Sequence, residues 1–112
     1  MCTERQLEQI IRQIVKAYRA VYGDHIHAIL LYGSYARGDY DNQSDIDFAA
    51  IVDGERMDLQ EKLVDVWEEA ADIGLLHDTV ISPVVIPYDE FNKYKGKLPY
   101  YRNIEAEGRK VG

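Results

Sequence analysis

Gly33-Ser-Tyr-Ala-Arg-Gly-Asp-Tyr-Asp-Asn-Gln-Ser-Asp-Ile-Asp47 is the stretch on which the reading of this chain turns. It follows His25-Ile-His-Ala-Ile-Leu-Leu-Tyr32, a run of strand formers that stops at Gly33 and predicts a mostly buried first strand. It leads into Asp45-Ile-Asp-Phe-Ala-Ala-Ile-Val52, a second strand whose alternation sets Asp45 and Asp47 on one face and Ile46 and Phe48 on the other. The residues between, rich in glycine, serine and aspartate and including Asn42, have loop chemistry with room for one helical turn.

Each part of the stretch suits a chemical task. A glycine and a serine directly after a strand let the backbone approach phosphates, and N–H groups at the start of a helical turn bind phosphate oxygens. Ser34 adds a hydroxyl. Two aspartates at i and i+2 on a strand stand roughly 7 Å apart at the backbone, so their carboxylates can converge on divalent ions, as in a two-metal site with ions about 4 Å apart. Taken singly, Gly33-Ser34 reads as an ordinary turn and the aspartates as the solvated face of an edge strand; on consecutive strands they read as a phosphate cradle facing a metal pair. A Walker-type loop is excluded, because Gly33 to Gly38 spells only its Gly-x-x-x-x-Gly half and Asp39-Tyr40 stand where Lys-Ser/Thr is required.

Outward from this centre the pattern alternates helices and strands. Thr3-Glu-Arg-Gln6 has the form of a capping box, and Leu7, Ile10, Ile11, Ile14, Val15, Tyr18 and Val21 follow at helical spacing, predicting a helix over 4–22 ended by Gly23. Past the Asp53-Gly54 turn, Asp58 with Glu61 resembles a second capping box. Leu59, Leu63, Val66, Ala70 and Ile73 then form one core-facing stripe that ends at Gly74. Thr79 to Ile86 reads as a third strand, placed at an edge or bulged by Pro83. Residues 88–94 and 99–107 read as two short closing helices, the second with Pro99 in its first turn and Gly108 after its end.

The bulk properties bound the function. With 112 residues, 46% of them hydrophobic, the chain is expected to form one domain over 1–112 with a core that needs no staple. The lone cysteine, Cys2, cannot form an intramolecular disulfide, which suggests a reducing, cytoplasmic setting. No stretch approaches the roughly 18 apolar residues of a membrane span, and Met1 to Gln6 lack a signal-peptide pattern, so neither secretion nor membrane insertion is expected. The net charge of -7 is opposite to the footprint that long nucleic acids select, whereas a nucleotide arriving with Mg²⁺ brings its own positive charge. His25, His27 and His77 lack the companions of a zinc site and read as structural. Tyr100 and Tyr101, beside Arg102 and Asn103, are candidates for a partner-binding patch.

The strand, Gly33-Ser34, ten intervening residues and Asp45-Ile-Asp47 resemble the Gly-Ser, spacer, Asp-x-Asp signature of the polymerase-beta-like nucleotidyltransferase superfamily. Ala36-Arg37-Gly38-Asp39, Ser44 before Asp45, and Leu98 to Gly108 are similar to its minimal nucleotidyltransferases. The resemblance implies an α/β (α+β) fold with a small mixed β-sheet flanked by helices. It also implies that Gly33 and Ser34 hold the triphosphate of ATP, with Arg37 and Ser44 near it, while Asp45 and Asp47 ligate Mg²⁺ as two ions during release of pyrophosphate. The family's third carboxylate usually lies on a later strand. Here Asp78 is the one acid near that spacing and the strand over 80–86 contains none, so the alternative is two carboxylates with Ser82 facing the site. Small members of this group are often antitoxins partnered with a helical HEPN ribonuclease toxin, and the implied activity is transfer of AMP to a toxin tyrosine. A homo- or hetero-oligomer fits that setting, and a non-catalytic antitoxin that acts by binding is the other reading.

Overall fold

The computed structural model describes residues 3–41 and 43–112; Cys2 and Asn42, which entered the reading above, lie outside them. Helix α1 spans Glu4–Tyr22. Its start is the predicted capping box: Gln6 N–H donates to Thr3 Oγ1 at 3.1 Å and Thr3 N–H donates to Gln6 Oε1 at 3.0 Å. Gly23 ends the helix at φ 58 and opens a 3₁₀ turn, Gly23–His25, so strand β1 begins one residue later than expected and covers Ile26–Tyr32. A single turn, α2 (Ser34–Arg37), fills the glycine-rich loop. Strand β2 is Ile46–Val52, which leaves Asp45 on the approach to the strand.

Helix α3 (Arg56–His77) departs from the expectation at both ends. Its N-cap is Glu55, without a side-chain hydrogen bond, so Asp58 sits inside the first turn and makes no capping box with Glu61. Leu59 N–H already donates to the Glu55 carbonyl at 3.0 Å, which fixes the earlier start. At the other end Gly74 does not stop the helix. A Cβ there would stand 2.6 Å from the Thr79 carbonyl oxygen, so the glycine lets the chain fold back across the last turn, and Asp78 ends the helix in the left-handed conformation at φ 53 and ψ 52.

Strand β3 (Ile81–Pro87), α4 (Tyr88–Tyr94) and α5 (Pro99–Glu107) follow, the two helices with their expected bounds. A two-residue strand, β4 (Arg109–Lys110), was not foreseen; two residues carry no periodicity to read. The sheet order is β3-β2-β1-β4, with β1 antiparallel to β2 and to β4, and β2 parallel to β3. β3 is thus an edge strand, as Pro83 suggested.

β2 is central and covered on both faces. Ile46, Phe48, Ala50 and Val52 pack with Ile10, Ile14, Tyr18 and Val66 beneath α1 and α3, while Ala49 and Ile51 meet Ile86 of β3 and Phe91 and Ile104 from the closing helices. The buried Tyr18 hydroxyl donates to the Val84 carbonyl at 2.8 Å, so α1 is tied across the sheet to its far edge. Among the described residues no helix is long and apolar enough to cross a membrane.

Candidate active site

Sheet register, more than loop folding, assembles the site. β1 runs antiparallel to β2, which sets Tyr32 opposite Asp47; β3 runs parallel to β2, which sets Ser82 opposite Asp47 on the other side. The end of β1 and the starts of β2 and β3 therefore meet at one rim of the sheet, with Gly33 and Ser34 immediately beyond Tyr32. On the face of β2 that carries Ala49 and Ile51, Asp47 is the position where the closing helices no longer cover the strand, and it is half-buried while Asp45 is exposed.

Gly33 is the hinge of the arrangement. Its φ of 73 is one that side-chain-bearing residues rarely adopt, and a Cβ built on it would lie 2.5 Å from Asp47 Oδ2. The Asp47 carboxylate is thus seated directly against the backbone of the glycine-serine turn. The turn closes on itself: the Gly33 carbonyl accepts from the N–H groups of Ala36 and Arg37, each at 3.1 Å, and Ser34 opens the helical turn. Ser82 Oγ stands 3.5 Å from Asp45 Oδ2 at the limit of a hydrogen bond, so the third strand presents a hydroxyl to the pair.

The electrostatics follow from this packing. Burial raises the Asp47 carboxyl above the usual carboxylate range, the charge of Asp45 raises it further, and Arg37 opposes both. Two carboxylates that repel each other, one of them partly desolvated against a backbone turn, form an oxygen donor set suited to a hard divalent cation such as Mg²⁺. Asp45 and Asp47 are the residues that would hold it.

The remaining predicted residues fall in different places. Arg37 is at the rim, but its guanidinium pairs with Asp39 and Glu107, each at 3.2 Å. Ser44 stabilises a local turn, its hydroxyl accepting from Asp41 N–H at 3.0 Å. Asp78 forms the C-cap of α3 and does not join the aspartate pair; among the described residues no group of three His, Cys, Asp or Glu side chains comes together as a metal site. His27 pairs with Asp53 at 2.9 Å and stacks on Tyr88, and His77 bonds Gln13 at 3.0 Å, in keeping with structural roles.

A cleft of about 210 Å³ opens beside Gly33, lined by Tyr32, Arg37, Tyr100, Asn103, Ile104 and Glu107. Tyr32 and Tyr100 share a hydrogen bond of 2.9 Å across it. Sequence reading noted Tyr100 and Asn103 for a different reason and missed Tyr32 and Glu107. Tyr32 was within reach, since antiparallel pairing of the two predicted strands puts it opposite Asp47; Glu107 depends on how α5 docks, which no local pattern encodes. A larger hollow, about 530 Å³, lies between α1 and α3 and includes none of the predicted site residues.

Comparison with known proteins agrees with this geometry. Residues 8–98 match the family described as "Polymerase beta, Nucleotidyltransferase". Two proteins of Methanocaldococcus jannaschii, both named "Putative protein adenylyltransferase", are similar in sequence. One is 36% identical over 105 residues, which is 91% of this chain and 94% of its own length. The other is 35% identical over 80 residues, covering 71% and 79% respectively. Among solved structures, a toxin-antitoxin crystallised with AMP-PNP and a mutant of the toxin-antitoxin MntA-HpeT both superpose with TM-score 0.57. Their identities are 19% and 17%, and each match covers 91% of this chain and 72% of the other. At such identity they speak for the fold, a mixed sheet flanked by helices.

Proposed function

The chain belongs to the polymerase beta nucleotidyltransferase family, and from that premise we propose that it transfers AMP from ATP to a tyrosine hydroxyl of a partner HEPN toxin, acting as the antitoxin. The observation that carries the reading is the seating of Asp47 Oδ2 against Gly33, with Asp45 beside it, because this joins an acidic cation site to a turn that phosphates can approach. The names of the two archaeal relatives support AMP transfer to protein, and the toxin-antitoxin neighbours support a toxin as the acceptor.

In this reading Gly33 and Ser34 receive the triphosphate, the absence of a Cβ at Gly33 leaving its backbone open to phosphate oxygens. Asp45 and Asp47 hold Mg²⁺, which when bound neutralises phosphate charge and stabilises the entering and leaving oxygens. With both carboxylates engaged as metal ligands, the proton of the attacking hydroxyl leaves to solvent at the exposed, Asp45 side of the rim. Arg37 exchanges its exposed acidic partners for a phosphate oxygen, an exchange that costs little because solvent screens such pairs. The acceptor oxygen bonds to the α-phosphorus as the bond to the pyrophosphate oxygen breaks.

The test is to incubate the protein with Mg²⁺, α-labelled ATP and a HEPN toxin, the first to be tried being the product of the adjacent gene. Label should appear on a toxin tyrosine and vanish when Asp45→Asn and Asp47→Asn are combined. The binding-only reading is favoured by one observation, the missing third carboxylate among the described residues. Neutralisation of the toxin that survives the double substitution, with no label transferred by the parent, would establish that reading instead.

A further inference from the structure

Helix α3 has a second apolar face. Besides the core stripe, Met57, Val64, Trp67, Ala71 and Leu75 recur at helical steps and all are exposed, Leu75 by 82%, Met57 by 76%, Val64 by 57% and Trp67 by 46%. At 3.6 residues per turn they share one sector roughly 80° wide, which holds no charged residue of the helix. In the adjoining sector, about 100° wide, lie the acids Asp58, Glu61, Asp65, Glu68, Glu69 and Asp72, with Leu76, 72% exposed, as the one apolar residue among them. A helix that met only water on this side would not gather five exposed apolar residues in one sector free of charge; a contiguous exposed apolar strip marks an interaction surface.

The surroundings narrow the occupant. Gln60, in the same uncharged sector, lines a hollow with Val84, Val85, Ile86, Leu98 and Arg56, whose charge is already paired with Glu90, so the strip turns toward β3, the open edge of the sheet. Strand addition at that edge is blocked. Ile46 N–H donates to the Val80 carbonyl at 2.9 Å, so even-numbered residues of β3 bond β2 and odd-numbered ones face outward; Pro83 and Pro87 are outward positions without an N–H. A second copy of the chain would bring its own acid sector to a molecule already at net charge -7. What complements the strip is an apolar ridge bordered by cations.

We propose that this face of α3 docks an amphipathic helix of a partner protein, its apolar ridge against Val64, Trp67 and Leu75 and its lysine or arginine flank along the α3 acids. The proposal does not rest on the transfer reading, since no residue of the Gly33 to Asp47 site takes part.

Trp67 is the chain's one tryptophan, so binding is read directly from its fluorescence. The probes are two synthetic amphipathic helices with the same leucine ridge, one flanked by lysine and one by glutamate, titrated without nucleotide. The lysine-flanked helix should shift Trp67 emission to the blue saturably, bind at least tenfold more tightly than its glutamate-flanked twin, and weaken as salt is added. Val64→Asp with Leu75→Asp should lower its affinity at least tenfold. Should that pair disturb folding by circular dichroism, Glu68→Lys with Asp72→Lys, both fully on the surface, should lower it similarly. Absence of a shift, equal binding of both helices, or a concentration-dependent dimer of this chain that Val64→Asp and Leu75→Asp abolish would overturn the proposal.

Discussion

The two ends of β2 obey different rules. From Phe48 to Val52 the strand is buried on both faces, and its residues are held by volume and shape. At the start, Asp45 and Asp47 are held in an unfavourable state, one carboxylate desolvated beside another, directly beneath a glycine turn. The packed end fixes the register which brings the acids to the rim, while the acidic end gives up stability to hold two carboxylates side by side.

Substitutions at either end separate these contributions. The largest effect on stability is expected from Phe48→Ala, a fully buried ring, at about 3–5 kcal/mol by denaturant unfolding. Gly33→Ala comes next: strain at φ 73 together with the clash at Asp47 should cost about 1–3 kcal/mol and lower affinity for magnesium-nucleotide at least tenfold by calorimetry. If Gly33→Ala left nucleotide affinity unchanged, the two ends would not differ in the way described.

Asp47→Asn sharpens the comparison by reversing its sign. Because the folded state raises the Asp47 carboxyl, its contribution to stability is fully present below the ordinary carboxylate range and is lost as pH rises through the folded value. At neutral pH, without metal, the asparagine variant should therefore melt at or above the parent temperature, and the gap should close as pH falls toward that range. In the transfer assay the same variant should lose activity by on the order of a hundredfold or more. Smaller still is Glu107→Gln, which releases Arg37 from one exposed partner; denaturant unfolding should show no resolvable change in stability, with nucleotide affinity equal or improved.

How much of this was legible in the sequence varied with the range of the interactions. Helix α1 with its capping box, the turn at Ser34–Arg37 and the two closing helices follow from neighbours a few residues apart, and they stand where local pattern put them. The ends of α3 did not, because Gly74 serves a close approach to Thr79 that only the folded chain reveals. The same holds at the site. Gly33 directly follows β1, and Asp45 and Asp47 stand at the start of the adjacent β2, so they could be paired by alternation, whereas Asp78, at the family's distance along the chain, sits on a helix cap while Ser82 takes the neighbouring register. The second apolar face of α3 escaped notice because the first explained the helix so well.

The account's central claim is that Asp45 and Asp47 bind a divalent ion together with the phosphates seated at Gly33. Calorimetry of Mg²⁺ with a non-hydrolysable ATP analogue tests it most directly. Parent protein should bind the pair, Asp45→Asn with Asp47→Asn should not, and Asp78→Asn should bind like the parent. Undiminished binding by the double variant, or no binding by the parent, would contradict the account.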